Sequence, residues 1–330
     1  MRLSCTPGIV KTLDEKVEDI EIPINIRALK TSTIYHVETG GKSVLIDTGM
    51  DPGTESLLLQ RGVRVDDLDA IFLTHLHIDH LGGAQKMHDD HSIPVYMGNE
   101  DLVRVRSIQE NPSGFLRELV DFLRINGVPE FYLQKFGENH PVVMELENYR
   151  SLAVENLSSI PGGKFGEIKF VSTPGHSPGS TCFYMEKNKF LFTGDHILER
   201  ITPNISFYDR HTDMLGLYMC SLQETMKLEV ERGFPGHGKP FSGMKERAQS
   251  IIDHHKARIR EIKDIGKNSW MNAYEIAGRM TWSKGRKMDT MNSMEQNFAI
   301  GEAIAHIRYM VNSGELIERE RKGKLQYRSS

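Results

Sequence analysis

One run of ten residues, Thr-His-Leu-His-Ile-Asp-His-Leu-Gly-Gly at 74–83, constrains this chain more than any other stretch. It follows the apolar residues 70–73, which predict a short buried strand. Three imidazoles and one carboxylate then fall within six positions, where the strand gives way to a loop. Neutral imidazole and carboxylate are ligands that Zn²⁺ accepts, and one ion takes about four of them. We therefore interpret the run as a metal site rather than as a solvated histidine-rich turn.

The spacing within this run predicts more than one metal ion. His75 and His77 are two residues apart and can reach one ion together. Asp79 and His80 come just beyond them in the chain. Because about four ligands satisfy one ion, we expect Asp79 and His80 to serve a neighbouring ion.

Further along the chain, three more ligand candidates follow predicted strands. His176 lies in Thr-Pro-Gly-His-Ser-Pro-Gly-Ser after the predicted strand 168–172. Asp195 follows the apolar run 190–193, and His237 lies within Pro-Gly-His-Gly. Singly, each is a weak signal, because a histidine flanked by glycine is usually a turn residue. In this order, behind the histidine-rich run, they predict one metal site at one edge of a sheet.

The first hundred residues predict strands that alternate with short helices. Isoleucines alternate over 18–28 and predict a half-buried strand, and 54–60 predict a short helix. Residues 93–97 contain a proline and predict an edge strand. A hairpin is predicted over 33–46 around the turn Gly-Gly, and Asp47 follows it directly. Asp47 could cap a turn or hold a ligand histidine in place; we favour the second role because such sites usually require one.

Residues 100–140 do not continue this alternation of strands and short helices, and they predict a helical insertion. Apolar residues recur at helical spacing on both sides of the breaker Asn-Pro-Ser-Gly at 111–114. Two interpretations stay open: a packing appendage, or a lid that offers apolar surface such as Phe131 to a substrate. Three histidines in or near this region are not expected to bind metal, since a lone histidine is more often a surface residue: His88, His91 and His140.

Composition narrows the class of protein. The chain has 330 residues, which is enough for one large domain and a small one. Its net charge of −4 argues against a protein built wholly around nucleic-acid phosphates. Cys5, Cys182 and Cys220 are widely spaced, so neither sulfur ligation nor a disulfide framework is expected. The first residues lack the apolar core of a signal peptide, and no stretch approaches a membrane span, which predicts a cytoplasmic protein without a membrane partner.

The order of the ligand candidates resembles the metallo-β-lactamase-fold hydrolase superfamily. The resemblance covers about residues 25–245 and implies an α/β fold, the αββα sandwich, with a dinuclear metal site at one edge of its two sheets. It implies two divalent ions per chain, Zn²⁺ in the first instance, with Mn²⁺ or Fe²⁺ as alternatives. The implied ligands are His75, His77 and His176 for the first ion, Asp79, His80 and His237 for the second, and Asp195 as the bridge.

Differences between this chain and particular branches of the superfamily reduce the number of branches that it resembles. Class B β-lactamases commonly have cysteine, or no bridge, where this chain has Asp195, so antibiotic hydrolysis is not expected. The flavodiiron branch has glutamate where this chain has His77. The segment between Asp195 and His237 is too short for the extra domain of the β-CASP nucleases. The glyoxalase II, lactonase and arylesterase neighbourhood remains, together with small β-lactamase-like ribonucleases.

The C-terminal part, 249–330, resembles a winged helix, and the catalytic domain is expected to be 1–248. Helices are predicted over 249–265 and 294–311, with Phe298 in the buried stripe of the second, and a basic hairpin follows. Its charges could face phosphates, or they could be solvated beside the catalytic domain or a second subunit, so a homodimer stays open. The basic residues are Lys284, Arg286, Lys287, Arg319, Arg321, Lys322, Lys324 and Arg328.

On this resemblance the chain is a dinuclear hydrolase of a small acyl substrate: an ester, thioester or lactone. Two ions roughly 3.5–4 Å apart lower the pKa of a shared water, and the resulting hydroxide attacks the acyl carbon. Asp79 could orient that water or accept its proton. Tyr208, in the loop 204–211, could protonate the leaving group or bind an oxyanion, with turn packing as the alternative. The alternative function is a metal-dependent endoribonuclease or phosphodiesterase that binds nucleic acid through the basic C-terminal part.

Overall fold

A seven-stranded β-sheet forms the first half of this computed structural model, which describes residues 9–12, 15–26, 29–50, 53–139, 143 and 145–330. Its strands follow chain order in space. They are β1 (Ile9–Thr12), β2 (Glu15–Ile26), β3 (Leu29–Thr39), β4 (Lys42–Ile46), β5 (Ala70–Phe72), β6 (Val95–Met97) and β7 (Glu155–Asn156). Strands β1 to β4 pair antiparallel, whereas β4 to β7 pair parallel. The sheet is therefore mixed.

A five-stranded sheet packs against the first one. Its strands are β8 (Lys164–Phe165), β9 (Ile168–Ser172), β10 (Thr181–Met185), β11 (Phe190–Gly194) and β12 (Arg232–Pro235). The spatial order is β12-β11-β10-β9-β8, and only β11 and β12 pair parallel. Because parallel neighbours end at the same edge, the loops after β11 and β12 lie side by side.

Aromatic side chains fill the space between the two sheets. Phe72 from the first sheet lies 5.5 Å from Phe183 in the second, measured between ring centroids. Tyr35 lies 5.3 Å from Phe192, and its hydroxyl donates to the carbonyl of Pro235 at 2.7 Å. Such aromatic pairs contribute about 0.5–1.5 kcal/mol beyond the burial of their area. They hold the sheets in register, so the ends of β5, β11 and β12 meet at one edge.

Helices cover the outer face of the first sheet and continue into the insertion. They are α1 (Thr54–Gln60), α2 (Ile78–Leu81), α3 (Ala84–His91), α4 (Asn99–Glu110), α5 (Pro112–Ile125), α6 (Glu130–Asn139) and α7 (Leu146–Arg150). Leu45 and Ile71 of the sheet pack into one apolar cluster with Leu58 of α1 and Val105 of α4. Helices α4, α5 and α6 occupy the stretch predicted to be a helical insertion as far as residue 139, and its predicted breaker is the start of α5.

The C-terminal elements cover the outer face of the second sheet. The helices are α8 (Met214–Thr225), α9 (Met244–Ile265), α10 (Ala273–Arg279) and α11 (Ser293–Asn312), followed by the hairpin β13 (Leu316–Arg321) and β14 (Lys324–Ser329). Leu191 of β11, Tyr218 of α8, Ile259 of α9 and Ile300 of α11 belong to one apolar cluster. The layers are therefore helix, sheet, sheet and helix. Within the described ranges, no helix has the length and apolar character needed to cross a bilayer.

Most predicted elements of the first half are confirmed. The helix predicted over 54–60 has those bounds, and the predicted hairpin over 33–46 is β3 and β4. Its turn residues Gly40 and Gly41 have φ of 57° and 73°, which glycine adopts without strain. The strand predicted over 18–28 is part of β2, and residues 27 and 28 lie outside the described ranges.

Two sequence-based expectations about exposure are wrong. The strand predicted at an edge, β6, lies inside the sheet between β5 and β7. Its proline, Pro94, precedes the strand, so the missing N–H removes no hydrogen bond from the pairing. Phe298, predicted to be buried, is 49% exposed. It lies two residues before Ile300, and two residues rotate a helix by about 200°, so the two side chains face opposite ways.

The division at residue 248 falls inside helix α9, which begins at Met244. The helices and the basic hairpin predicted after it are present, with capping boxes at Asn272 and Asn292. The insertion also touches this part, because the Tyr327 hydroxyl donates to the side chain of Asn126 at 2.8 Å. The winged-helix identity and the two-domain division stay predictions.

Candidate metal centre

Backbone hydrogen bonds tie the ligand loops together at one edge of the two sheets. Thr181 N donates to the carbonyl of Thr74 at 2.9 Å, which joins the loop after β5 to β10 of the other sheet. Gly236 N donates to the carbonyl of Gly194 at 2.8 Å, and its own carbonyl accepts from Thr33 N at 2.7 Å. A Cβ at Gly194 would lie 2.5 Å from Thr74 Oγ1, so this close approach requires glycine.

Three histidines converge to form the first half of the site. His77 Nδ1 lies 3.0 Å from His75 Nε2 and 3.0 Å from His176 Nε2. The three nitrogens all lie within 4.8 Å of one another, and the rings are buried or nearly so. Three imidazole nitrogens around one point match three corners of a tetrahedral Zn²⁺ site. The structure thus brings together the three residues expected at the first ion.

The second half contains the other predicted ligands. Asp79 Oδ2 lies 3.3 Å from His237 Nε2 and 3.9 Å from His80 Nε2. Asp195 lies between the halves: its Oδ2 is 3.6 Å from His176 Nε2 and 3.4 Å from His237 Nε2. All seven predicted ligand residues therefore share one cluster, and Asp195 has the position expected of a bridge.

Three buried atoms in this cluster have no hydrogen-bond partner in the described part of the chain. They are His80 Nε2, Asp195 Oδ1 and His237 Nε2. A buried polar atom without a partner costs about 1–3 kcal/mol. All three atoms face the same space, and a divalent cation there would satisfy them. The donor set, with five imidazoles and two carboxylates, fits a pair of divalent cations.

The two halves differ in electrostatics. Burial, reinforced by the nearby His176, lowers the pKa of His77 to about 3, and burial lowers the pKa of His75 and His176 as well. These three rings are therefore neutral at physiological pH, as ligation requires. Burial works against charge on His80 too, but Asp47, Asp79 and Asp195 together raise its pKa to about 9. The second half attracts positive charge.

Asp47 holds one ligand histidine, which confirms the role we favoured. Its Oδ2 accepts from His80 Nδ1 at 2.7 Å and from Thr74 Oγ1 at 2.8 Å. Its Oδ1 accepts from Thr74 N at 2.7 Å. Asp47 thereby fixes the ring of His80 with Nε2 directed toward the shared space, and it anchors the start of the ligand loop.

The remaining ligand histidines are held in the same way. Oxygen atoms contact the ring nitrogen that faces away from the cluster. The contacts are His75 Nδ1 to Thr74 Oγ1 at 3.0 Å, His176 Nδ1 to the carbonyl of Asn204 at 3.0 Å, and His237 Nδ1 to the carbonyl of Thr31 at 2.7 Å. A carbonyl accepts only from N–H, so it selects the tautomer whose other nitrogen can bind a cation.

Tyr208, predicted to be catalytic, lies directly beside the ligands. Its hydroxyl is 2.8 Å from His77 Nε2 and donates to the carbonyl of His176 at 3.2 Å. Burial raises the pKa of Tyr208 well above its ordinary value, so the phenol keeps its proton. The hydroxyl accepts from His77 and donates to the next ligand loop. This geometry favours a role in holding ligands over the predicted roles of proton donor and oxyanion binder.

Asp101, on α4, is a site residue that the sequence analysis missed. Its Oδ2 accepts from Leu76 N at 2.9 Å and from Ser177 Oγ at 2.6 Å, and its Oδ1 accepts from Gly179 N at 2.6 Å. Burial raises its pKa to about 6. It ties the loop of His75 to that of His176. An acidic residue in the first turn of a helix is common, so its place in the sequence carries no distinctive signal.

The two interpretations left open for the insertion were a packing appendage and a lid, and its helices differ in what they contact. Arg104 of α4 donates to the carbonyl of Tyr208 and lies 5.8 Å from the centre of its ring. Helices α5 and α6 pack on the C-terminal elements, and Phe122 of α5 also lies 5.1 Å from Phe207 in the loop of Tyr208, measured between ring centroids. Phe131 is 60% exposed, with its ring 4.4 Å from that of Tyr132. The interpretation as a packing appendage therefore fits α5 and α6, whereas α4 supports the site through its contacts with Tyr208. Of the three histidines not expected to bind metal, His91 pairs with Asp66, His88 contacts a carbonyl, and His140 lies outside the described residues.

A cleft of about 320 Å³ opens beside the ligand His237. Leu198 and Ile201 give it apolar walls, and Glu199 adds one carboxylate. Three cations also lie around it. These are Lys30, Arg200 and Lys239. Another cavity, of about 430 Å³, lies at the hairpin of β3 and β4 and contains none of the predicted ligands. Of these two cavities, only the cleft beside His237 borders the cluster, so it could hold a substrate against it.

Residues 28–237 match the family profile of the Metallo-beta-lactamase superfamily. A Caenorhabditis elegans protein, Beta-lactamase-like protein 2 homolog, is 27% identical over 241 residues, which is 71% of this chain and 65% of that protein. The Atrochrysone carboxyl ACP thioesterase of Aspergillus fumigatus is 24% identical over 239 residues, which is 71% of this chain and 59% of that protein. The matched region thus spans less than two thirds of each relative's length.

Solved structures share the fold over almost the whole chain. A metallo-beta-lactamase family protein from Thermus thermophilus has a TM-score of 0.76 at 24% identity, covering 95% of this chain and 98% of that one. A beta-lactamase domain protein from Burkholderia ambifaria has a TM-score of 0.77 at 21% identity, covering 99% and 97%. Since the family profile spans well over half of its length, the chain belongs to the metallo-beta-lactamase superfamily of metal-dependent hydrolases.

Proposed function

We propose that this protein is a dinuclear metal hydrolase that cleaves a small acyl substrate, with thioesters as the first class to examine. The observation that carries the proposal is the position of Asp195, between a histidine triad and a mixed group of histidine and carboxylate. His75, His77 and His176 would hold one ion, and Asp79, His80 and His237 the other. Zn²⁺ suits this donor set best, and Mn²⁺ and Fe²⁺ are alternatives.

The chain's own residues would prepare the site for hydrolysis. Bound ions would supply a water of lowered pKa as nucleophile and a positive charge for the acyl oxygen. Asp79 uses Oδ2 toward His237, at 3.3 Å, and its Oδ1 would accept the proton of that water. Tyr208 and Asp101 would keep the two histidine loops at a fixed separation while the substrate is turned over.

The cleft beside His237 supports an acyl substrate. Leu198 and Ile201 would contact an acyl chain, since apolar walls bind alkyl groups by burying them. Lys30, Arg200 and Lys239 outnumber the one lining carboxylate, Glu199, so the cleft favours a substrate whose leaving group carries negative charge. Two of these cations are already paired, Arg200 with Glu199 at 3.3 Å and Lys239 with Glu21 at 2.8 Å. The Aspergillus fumigatus relative is named as a thioesterase, which also supports the thioester class.

One observation favours a second candidate, a phosphodiesterase that acts on RNA. The guanidinium groups of Arg319 and Arg328 lie 4.0 and 4.9 Å from the ring centre of Trp270. Neither arginine forms an ion pair with a described acidic residue. An aromatic ring among unpaired cations is a surface that single-stranded nucleic acid can use.

A substrate panel on metal-loaded protein tests the proposal. We expect turnover of an acyl thioester, an aryl ester or a lactone that disappears when a chelator removes the metals and returns when they are restored. Single-stranded RNA is assayed in parallel. RNA cleavage without any acyl hydrolysis would replace the proposal with the second candidate. The cytoplasmic location and the homodimer stay predictions from the sequence.

A further inference from the structure

One residue joins a ligand histidine to the C-terminal helices. The carbonyl of Asn204 accepts from His176 Nδ1 at 3.0 Å. The side-chain Nδ2 of the same residue donates to Glu302 Oε2 at 3.4 Å and to the carbonyl of Phe298 at 3.3 Å, both on α11. The oxygen that fixes the His176 ring is therefore itself fixed by α11.

Glu302 is held in turn by a buried arginine. Arg258 Nε of α9 donates to Glu302 Oε1 at 3.3 Å, and the side chain of Arg258 is only 9% exposed. Arg258 also donates to Glu261 Oε2 at 2.7 Å and to the carbonyl of Thr281 at 2.6 Å. Its guanidinium lies 4.3 Å from the ring centre of Trp282. These contacts leave Glu302 little freedom beneath Asn204.

The loop that carries Asn204 is packed closely on α11. A Cβ added at Gly301 would lie 2.3 Å from Ser206 Oγ and 3.3 Å from Ser206 Cβ, so a side chain there would have to displace the serine hydroxyl. Four residues beyond Asn204 in the same loop, Tyr208 contacts His77 Nε2. One loop thus supports two ligands of the first half of the site, and α11 supports that loop.

From these contacts we infer that Glu302 is a positioning residue for His176, acting through Asn204, so the C-terminal helices set how the first ion is held. The inference rests on the proposed metal site. A ligand imidazole whose far nitrogen is fixed keeps one tautomer and one orientation, and loss of such a partner typically costs 10–100-fold in metal affinity. Glu302 and Arg258 would otherwise be only an ion pair between two helices.

The variants separate positioning from simple stabilisation. Glu302→Ala and Asn204→Ala each break the connection, and Asn204→Ala leaves the Arg258 ion pair intact. Glu302→Gln keeps an oxygen that can accept from Asn204. Glu261→Gln is the matched control, since it removes the negative charge that faces Arg258 Nη1 at 2.7 Å, and Glu261 does not contact Asn204 in the structure.

Metal affinity by chelator competition, the visible spectrum of the Co²⁺-loaded protein and the melting temperature of the metal-free protein are measured for each. We expect Glu302→Ala and Asn204→Ala to weaken the first site, the one that contains His176, about 10-fold and to change the Co²⁺ spectrum. Glu302→Gln should stay within about threefold of wild type. Glu261→Gln should lower the melting temperature without changing the spectrum.

Two results would overturn the inference while leaving the proposed function intact. One is wild-type affinity and spectrum in both alanine variants. The other is an equal loss of affinity in Glu261→Gln, which would make the effect one of general stability. A wild-type protein that binds no divalent metal would reject the proposed function and this inference together.

Discussion

At the scale of single residues, each ligand histidine divides its two ring nitrogens between two tasks. In His80, Nδ1 donates to Asp47 while Nε2 faces the cluster. In His77 the roles are exchanged: Nδ1 faces the other ligands, and Nε2 contacts Tyr208. Because an oxygen contacts every outer nitrogen, the contacts that orient the rings lie outside the cluster, so cation binding would need to order few side chains.

The bridging role proposed for Asp195 predicts how the metal content of variants would differ. Asp195→Ala should lower the occupancy of both sites, because its Oδ2 lies near both His176 and His237. His237→Ala should mainly empty the second site and leave about one ion per chain. Elemental analysis of purified protein measures this, with the exposed His211→Ala as control. Two ions per chain in Asp195→Ala would contradict the bridge.

Asp101 predicts a defect that comes from positioning alone. Three donors point at its carboxylate, and the amide nitrogen of Asp101→Asn cannot accept from any of them. One buried donor then loses its partner, so the free energy of unfolding should fall by about 1–3 kcal/mol. Denaturant unfolding of metal-free protein measures this loss. The exposed neighbour Glu100→Gln is the control, and equal stability of the two variants would remove Asp101 from this role.

At the scale of elements, local chemistry was enough to predict most of the chain. Asn272 and Asn292 each accept from the backbone of a glutamate three residues later, so each helix start is encoded in four residues. The hairpin turn at Gly40 is likewise encoded where it occurs. The ligand loops were predictable for a similar reason, because each follows a strand and is marked by glycine or proline.

The contacts that support the ligands could not be predicted, since they join residues far apart in sequence. In the sequence, Asp101 is an ordinary helix residue, and its role follows only from its contacts with Ser177 and Gly179 in the folded protein. Asn204 likewise meets Glu302 only once α11 has packed on the loop. Whether a strand lies at the edge of a sheet also depends on residues far away in the sequence. Strand β6 is interior only because β7, which follows the whole insertion in the chain, pairs with it.

Substitutions in the hairpin of β13 and β14 distinguish the two candidate functions. In the acyl hydrolase, replacing Lys322 and Lys324 by glutamate should leave kcat/KM within about threefold, because the substrate lies in the metal cleft. In an RNA hydrolase, the same exposed residues would contact phosphates, so activity would fall sharply and depend steeply on salt. The measurement is kcat/KM against salt for both substrate classes. Collapse of acyl turnover in the double variant would contradict the placement of the substrate.

At the scale of the whole molecule, the C-terminal helices join the catalytic sheets through one apolar cluster, and this layer also buries several polar groups. His255 and His306 are 1% and 0% exposed, and His255 Nδ1 lies 3.1 Å from His306 Nε2. Arg258 is buried beside them. Two neutral imidazoles can share one hydrogen bond, but two imidazolium ions beside a guanidinium cannot be buried together. Charging this layer therefore opposes folding.

The buried histidines predict that the metal-free protein loses stability in acid. Burial lowers the pKa of His306 to about 3, with Arg258 and His254 acting in the same direction and the carbonyl of Glu302 opposing them. The unfolded chain binds a proton below about pH 6.5, and the folded protein does not, so stability rises with pH between about 3 and 6.5. One such group contributes about 1.4 kcal/mol per pH unit in that window.

His306→Gln should therefore lose about 2 kcal/mol less of its free energy of unfolding than wild type between pH 7 and pH 5. Denaturant unfolding at both pH values measures this difference, and the exposed His211→Gln should keep the wild-type slope. Equal slopes in wild type and His306→Gln would show that folding does not lower the pKa of His306.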